Sequence, residues 1–451
     1  MSQTSVDLPG GGDFPRGLHP PERKTLAEHS AIEVLPTPRQ VAVPLLQHIG
    51  AACEPEVKPR QEVALGERIA NATALISSPV HASVAGVCQM PSATTLPTGR
   101  RVRTIPIQAG EEQLAGDALR ADVFSGDWPA DAADGLEPER IVEQVREAGI
   151  VGLGGAAFPT HVKLMRNEKK PVDVLLANGC ECEPYLTADH RLMIEAPEPI
   201  VAGAAVAARA AGAQRVVVVI EDNKPDAVAK MRRAAEGTGI EVAAVATHYP
   251  MGGERQLIPA ALGREVPTGG LPLDVGVVVV NVGTAAAIAR AVLRGKPLTH
   301  RVVSVTGAGV AQPKNLLVPI GTAYRELIDT CGGLTDAAAR VVSGGPMMGY
   351  AVGDLSVPVT KGTSGVVVLT GRDVRRAEET NCVRCGRCVD VCPLNLVPTK
   401  MALAARREDW DLARRYFIAA CCECGCCSYV CPAGIPLAQL IRTGKNRMPR
   451  S

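Results

Sequence analysis

The chain has 451 residues, a net charge of +1 and only 3% aromatic residues. That balance excludes a nucleic-acid surface, which needs basic patches and stacking rings. The length predicts about three domains. Fifteen cysteines with no signal peptide ahead of them predict a reducing compartment rather than a disulfide framework. The longest apolar stretch, residues 275–289, is broken by Asn281, Gly283 and Thr284 and stopped by Arg290. It is too short and too polar for a membrane span, so any membrane role is expected to be peripheral.

Residues 1–35 read as an N-terminal extension, whose first thirteen residues are Gly-rich, polar and expected to be mobile. From 36 to 115 short Val/Ile/Leu runs alternate with Gly and Pro, an all-β signature. The stretches 57–69 and 78–87 predict a barrel-sandwich of lipoyl type. Such domains carry their prosthetic group on a lysine between the two halves. The segment Ala70-Asn71-Ala72-Thr73-Ala74 has none, which makes a structural or docking module the better reading. His19, His48 and His81 have no metal-ligand spacing.

An Asp-, Ala- and Gly-rich stretch, 116–136, reads as a linker. Beyond it, over 137–295, the pattern becomes α/β. A helix is predicted at 139–148, buried strands at 172–177, 216–220, 240–246 and 275–280, and Ala-rich helices near 198–212 and 225–236. Strands alternating with helices predict a largely parallel sheet, with ligands at the carboxyl ends of its strands.

Two segments of this domain carry chemistry. Gly149-Ile150-Val151-Gly152-Leu153-Gly154-Gly155-Ala156-Ala157-Phe158-Pro159-Thr160 precedes Lys163. Glycines let backbone N–H groups approach a phosphate or a flat ring, and the lysine supplies compensating charge. The pattern matches neither a Walker loop nor the Rossmann fingerprint. Asn178-Gly179-Cys180-Glu181-Cys182-Glu183-Pro184 follows a buried strand, and its carboxylates could accept from ribityl or ribose hydroxyls. A solvated turn is the competing reading. Cys180 and Cys182 read as packing residues.

The last eighty residues repeat one motif. Cys382, Cys385, Cys388 and Cys392 precede Pro393, and Cys421, Cys424, Cys427 and Cys431 precede Pro432, each as C-x2-C-x2-C-x3-C-P. This is the bacterial spacing for two [4Fe–4S] clusters, in which the fourth cysteine of each run ligates the other cluster. One cluster is therefore expected on Cys382, Cys385, Cys388 and Cys431, the other on Cys421, Cys424, Cys427 and Cys392. A pair of zinc sites is the alternative, although zinc prefers separated pairs of ligands. Cys422 and Cys426 fall outside the ligand register and read as buried thiols, with a different ligand set left open. The basic residues Arg442, Lys445, Arg447 and Arg450 read as a solvated tail that could also approach anionic lipid or a partner.

The glycine loop with Lys163, the Asn-x-x-Glu-x-Glu-Pro segment, Gly252-Gly253-Glu254 and Asn281-Val282-Gly283-Thr284 resemble the flavin site of the NADH-oxidising subunit of respiratory complex I. More closely, and over nearly its whole length, the chain resembles the RnfC family, which belongs to the Rnf ion-translocating electron transport complex. The marks are residues 17–22 and 47–50, Gly263-Arg264-Glu265-Val266-Pro267, Gly269-Gly270-Leu271-Pro272 and the doubled cysteine motif.

The resemblance implies four modules: the sandwich, a central α/β domain for FMN and NADH, a β-grasp module at 300–355, and a helical, ferredoxin-like module at 370–445 with two [4Fe–4S] clusters. Gly152, Gly154, Gly155, Lys163, Asn178, Glu181, Asn281 and Thr284 would cradle FMN, and Phe158, Glu183 and Glu254 would contact the dinucleotide. The implied activity is that of a ferredoxin:NAD+ oxidoreductase component in an ion-coupled translocase, peripheral on the cytoplasmic face of the inner membrane. Its implied partners are the other components of that complex, especially an iron–sulfur subunit, with ferredoxin or flavodoxin served indirectly. A flavin and iron–sulfur cobalamin reductase is one alternative, and a cluster-only wiring and docking subunit another. Two departures stand out: Pro59-Arg60-Gln61 where sandwich domains usually turn on Gly-Asp, and Ala157 where flavin loops commonly have Gly.

Overall fold

The computed structural model describes residues 8–129, 131, 133–374 and 378–449. The first seven residues of the extension and Arg450 of the basic tail lie outside the described residues.

From residue 8 onward the extension is packed, against the expectation of mobility. The Gly12 amide donates to the Ala260 carbonyl at 2.9 Å and its own carbonyl accepts from Ala246 at 2.8 Å. Phe14 is buried against the α/β domain. Farther on, Leu18 bridges to Tyr249, and Ile32–Val34 adds a parallel strand beside Lys314–Pro319. The extension is a strap, and its few apolar residues are its anchors.

The sandwich pairs Gln40–Pro44, Arg101–Ala109, Gly86–Cys88 and Glu62–Val63 in one sheet and Glu54–Pro55, Arg68–Asn71 and Val80–His81 in another. Arg60 turns at φ 68°, so the Pro-Arg-Gln sequence makes its turn with a left-handed arginine instead of a glycine. The connection after Asn71 docks on the next domain: the Leu75 carbonyl is 3.1 Å from His161 Nε2. The Ile49 amide also donates to Ala157 O at 3.3 Å.

The expected linker instead contains a helix, Gly116–Phe124. Its composition hides it, because only Leu119, Val123 and Phe124 form its apolar face, which packs on Ile32 and Leu317. Asp122 then pairs with Arg290 and Lys296.

The α/β domain follows the expected pattern with ends shifted by one or two residues. Its parallel sheet runs in the order Glu241–Val245, Arg215–Glu221, Val174–Asn178, Val277–Asn281. The strands are near-continuous Val/Ile/Leu runs because helices cover both faces. Helices Pro197–Ala211 and Val282–Arg294 pack so closely that a Cβ on Gly203 would collide with the Ala285 carbonyl.

The next sheet has six strands in the order Ile32–Val34, Lys314–Pro319, His300–Thr306, Gly365–Thr370, Ala338–Ser343, Tyr350–Val352. Two of these lie outside 300–355. Gly365–Thr370 is buried along its whole length, running parallel to His300–Thr306. The C-terminal module packs Pro398–Arg406 against Leu437–Arg447 around Met401, Ala404, Ile418 and Ile441. Its two cysteine runs share one backbone path: Arg384 and Glu423 are left-handed, as are Gly386 and Gly425, and again Asn395 and Gly434.

Candidate functional site: a glycine-lined crevice beside a cysteine cavity

Asn178 and Asn281 end adjacent parallel strands and pair in register. From the Asn178 strand the chain winds outward through two strands, then returns on the other side, so a crevice opens between these two carboxyl ends. Asn178 Nδ2 donates to Gly252 O at 2.9 Å, and its Oδ1 accepts from the Cys180 amide at 2.9 Å. Asn281 caps helix Val282–Arg294 by accepting from the Thr284 amide at 3.2 Å, and its Nδ2 donates to Asp189 at 2.7 Å. Thr284 Oγ1 in turn accepts from the Leu153 amide at 2.8 Å. The glycine loop is thereby held over a helix N-terminus, where backbone donors favour an anion.

The loop is closed at its base by the Gly152 amide bonding to Phe158 O at 2.8 Å. Gly154 and Gly155 are exposed at its tip and Phe158 is half-buried. Gly155 has φ 135°, and a Cβ on Gly154 would lie 3.1 Å from Asn281 Cβ. Ala157 is left-handed at φ 49°, a conformation that glycine adopts without strain. Lys163, on the short helix Thr160–Leu164, pairs with Glu254 at 2.7 Å and reaches Val279 O at 3.3 Å. Thus Gly152, Gly154, Gly155, Lys163, Asn178, Glu254, Asn281 and Thr284 surround one crevice, an open cradle with a cation at its edge that suits a flavin phosphate and ring.

Glu181 and Glu183 are both engaged by protein donors, which overturns the solvated-turn reading. Glu181 caps helix Ala188–Glu195, accepting from the Asp189 amide at 3.0 Å and the His190 amide at 3.2 Å. Burial raises its pKa, opposed by Lys24. Glu183 accepts from the Met347 amide at 3.1 Å and the Met348 amide at 2.8 Å, and its Oε1 lies 3.3 Å from the Tyr249 hydroxyl oxygen. Burial pushes it up to about 7. Cys180 and Cys182 are packing residues: one thiol donates to Val219 O and the other accepts from the Gly252 amide.

Sequence reasoning missed Lys24, Asp189, Tyr249 and Arg301. The Lys24 ammonium is buried and donates to the carbonyls of Glu181 at 2.7 Å, Glu183 at 3.0 Å and Leu186 at 2.6 Å. Arg301 donates to Leu153 O at 3.1 Å. None carries a local signal, because each acts on a segment remote in the chain.

The fourth cysteine of each run sits with the other run. Cys392 lines one small cavity together with Cys421, Cys424 and Cys427. Cys388 has Cys431 and Cys382 as electrostatic neighbours. Amides donate to Cys392 Sγ and Cys421 Sγ at 3.4 Å each, from Leu396 and Glu423. Soft thiols converging in this crossed pattern, with N–H···S bonds, fit iron–sulfur ligation. Without iron, burial pushes Cys421 and Cys427 up to about 12, so binding must displace protons. Cys382 and Cys385 are exposed. Cys422 lines the cavity half-buried, while Cys426 is buried beside Tyr249.

Of the basic residues described, Arg442 and Lys445 are not a solvated end, while Arg447 is exposed. Arg442 and Lys445 both pair with Glu423, at 2.8 and 2.6 Å, and Lys445 also donates to Cys421 O. These two cations fasten the second cysteine run. Arg447 pairs with Glu408 at 3.1 Å. Among the described residues no helix is long and apolar enough to cross a membrane.

Fold and site together define an electron-transfer protein that joins a flavin domain to a two-cluster iron–sulfur module. Residues 12–112 match the RnfC barrel sandwich hybrid domain, 145–290 the Nuo51 FMN-binding domain, 302–351 the SLBB domain and 378–435 the 4Fe-4S dicluster domain. The chain is 41% identical over 404 residues to the C subunit of the proton-translocating ferredoxin:NAD(+) oxidoreductase complex of Clostridium ljungdahlii, spanning 90% of this chain and 87% of that one. It is 40% identical over 401 residues to the Na(+)-translocating counterpart of Acetobacterium woodii, spanning 89% of each. With the C subunit of the ion-translocating oxidoreductase complex of Rhodobacter capsulatus it shares 41% over 436 residues, 96% of this chain and 82% of that one. The chain belongs to this RnfC family. An NAD+-reducing [NiFe]-hydrogenase in the air-oxidized state shares the fold, with a TM-score of 0.51 at 21% identity over 72% of this chain and 64% of that one.

Proposed function

We propose that this chain is the NADH-binding electron-transfer subunit of a membrane-bound, ion-translocating ferredoxin:NAD+ oxidoreductase, peripheral on the cytoplasmic face. Residues 137–295 would hold FMN and the dinucleotide, and 370–445 the two clusters. The observation that carries the reading is the crevice between Asn178 and Asn281, rimmed by the glycine loop and Lys163, on the domain against which the cysteine cavity is docked through Tyr249.

Bound FMN exchanges two electrons with a nicotinamide and single electrons with iron–sulfur centres, and that chemistry is its own. The protein's part is to hold and orient. Gly152, Gly154 and Gly155 open the backbone to the ligand, and Thr284 and Asn281 fix that loop over the helix N-terminus. Lys163, steadied by Glu254, supplies positive charge. Phe158, half-buried at the loop, offers a ring for a nucleotide base, while Glu183, bound to the Met347 and Met348 amides, has no free oxygen turned to a dinucleotide. Cys382 and Cys385, exposed, mark the edge toward an iron–sulfur partner protein and, through it, ferredoxin.

The test is an anaerobic NADH titration of the full chain reconstituted with iron, sulfide and FMN. Absorbance follows the flavin and low-temperature EPR the clusters. Bleaching of about one FMN per chain is expected, with FMN retention falling at least tenfold in Lys163→Ala. Cluster signals with no flavin binding and no response to NADH would reduce the chain to a wiring component.

A further inference from the structure

Tyr249 lies between the two sites and belongs to neither by sequence. It is 2% exposed and packs with Cys424 and Cys426 on one side and Leu18 of the strap on another. Its hydroxyl donates to the backbone carbonyl of Cys424 at 2.7 Å and is 3.3 Å from Glu183 Oε1. Glu183 in turn holds the amides of Met347 and Met348. The cysteine loop abuts the same turn, since a Cβ on Gly425 would lie 2.5 Å from the Met347 carbonyl. A chain of close polar contacts therefore joins the segment after Asn178 to a residue of the cysteine cavity, and the tyrosine at its centre is buried.

We propose that Tyr249 is a positioning residue that fixes the Cys421–Cys427 loop against the flavin domain and raises the reduction potential of the cluster held by Cys392, Cys421, Cys424 and Cys427. The inference rests on the cluster reading above. A phenol O–H directs the positive end of its dipole at the Cys424 peptide, and in a dry, low-dielectric setting that dipole favours an added electron nearby. Hydrogen bonding and burial are the levers that set such potentials. The first run is placed differently: Cys382 and Cys385 are exposed.

The experiment is an EPR-monitored redox titration of the reconstituted full chain carrying Tyr249→Phe. A Cys385→Ala chain, lacking a ligand of the other cluster, identifies which signal belongs to which. The Phe substitution removes one oxygen and keeps the ring. The expected result is a more negative potential for the Cys421–Cys427 cluster alone, by about tenfold in its one-electron equilibrium or about 59 mV. A second chain with 3-fluorotyrosine at 249, a stronger donor of the same shape, should move it the opposite way. Iron and sulfide analysis of the unsubstituted chain tests the cluster reading separately: no bound iron overturns that reading and with it this one. Two clusters whose potentials stay put in both chains overturn the role of Tyr249 alone, as would equal shifts in both clusters.

Discussion

Gly155 shows how far single residues in the loop were readable. Its φ of 135° lies where side chains other than glycine are strained, and the sequence had already set three glycines around it. Gly155→Val should cost about 1–3 kcal/mol in thermal unfolding and weaken FMN binding in a flavin-fluorescence titration. Ala157 is the informative contrast. It tolerates φ 49° while its carbonyl accepts from the Ile49 amide, so Ala157→Gly should leave flavin affinity unchanged within twofold. A large change would mean the methyl group contacts the ligand. Glu181 and Glu183 were legible as important but not in direction. Nothing local told that one caps Ala188–Glu195 and that the other bonds to Met347 and Met348.

Among elements, the strap is the piece whose role composition concealed. Residues 8–35 have too few apolar residues for a helix or sheet pattern, yet they carry Lys24 into the core. There its ammonium satisfies three carbonyls of the 181–186 turn. Burial lowers the Lys24 pKa, with Lys224 adding to it and Glu181 opposing. Lys24→Met removes a costly buried charge but leaves those carbonyls without their donor. The net loss should be about 1–3 kcal/mol in urea unfolding, with tryptic cleavage of the strap accelerated. Unchanged cleavage and stability would show that the strap is held by Phe14 and its strand alone. The helix Gly116–Phe124 escaped for a related reason: its ion pairs, Arg120–Glu195 and Asp122–Arg290, are with residues far along the chain.

At the scale of the molecule, Lys361 joins the modules. Its buried ammonium donates to Pro79 O of the sandwich at 2.6 Å and Gly149 O of the α/β domain at 2.7 Å. Its backbone amide donates to Gln47 Oε1 at 3.0 Å. Burial lowers its pKa to about 7 from 10.5. Between those values the unfolded chain holds a proton that the folded one lacks, so stability should rise with pH across that window and level off above it. Lys361→Met should lose that rise, so its deficit from the orphaned carbonyls, about 2 kcal/mol above the window, should shrink or reverse toward neutral pH. Urea midpoints at about pH 7 and about pH 9.5, inside that window, make the comparison. Parallel behaviour of the two proteins would mean another group titrates.

What the sequence determined by itself was everything written in short-range spacing. The spacing within each cysteine run, the glycine loop with its lysine, the Val/Ile/Leu runs of the strands and the missing attachment lysine of the sandwich are set by neighbours within about a dozen residues. Backbone sterics, pleat and ligand geometry act at that range. What only the tertiary structure decided was which distant groups meet. Lys24 under the Glu181 turn, Glu183 on Met347, Tyr249 on Cys424, Arg442 and Lys445 on Glu423, and the strand Ile32–Val34 in a sheet built mostly after residue 300 all depend on long-range closure. Such contacts are selected by burial, where an unpaired polar group is expensive, and burial is a property of the packed whole.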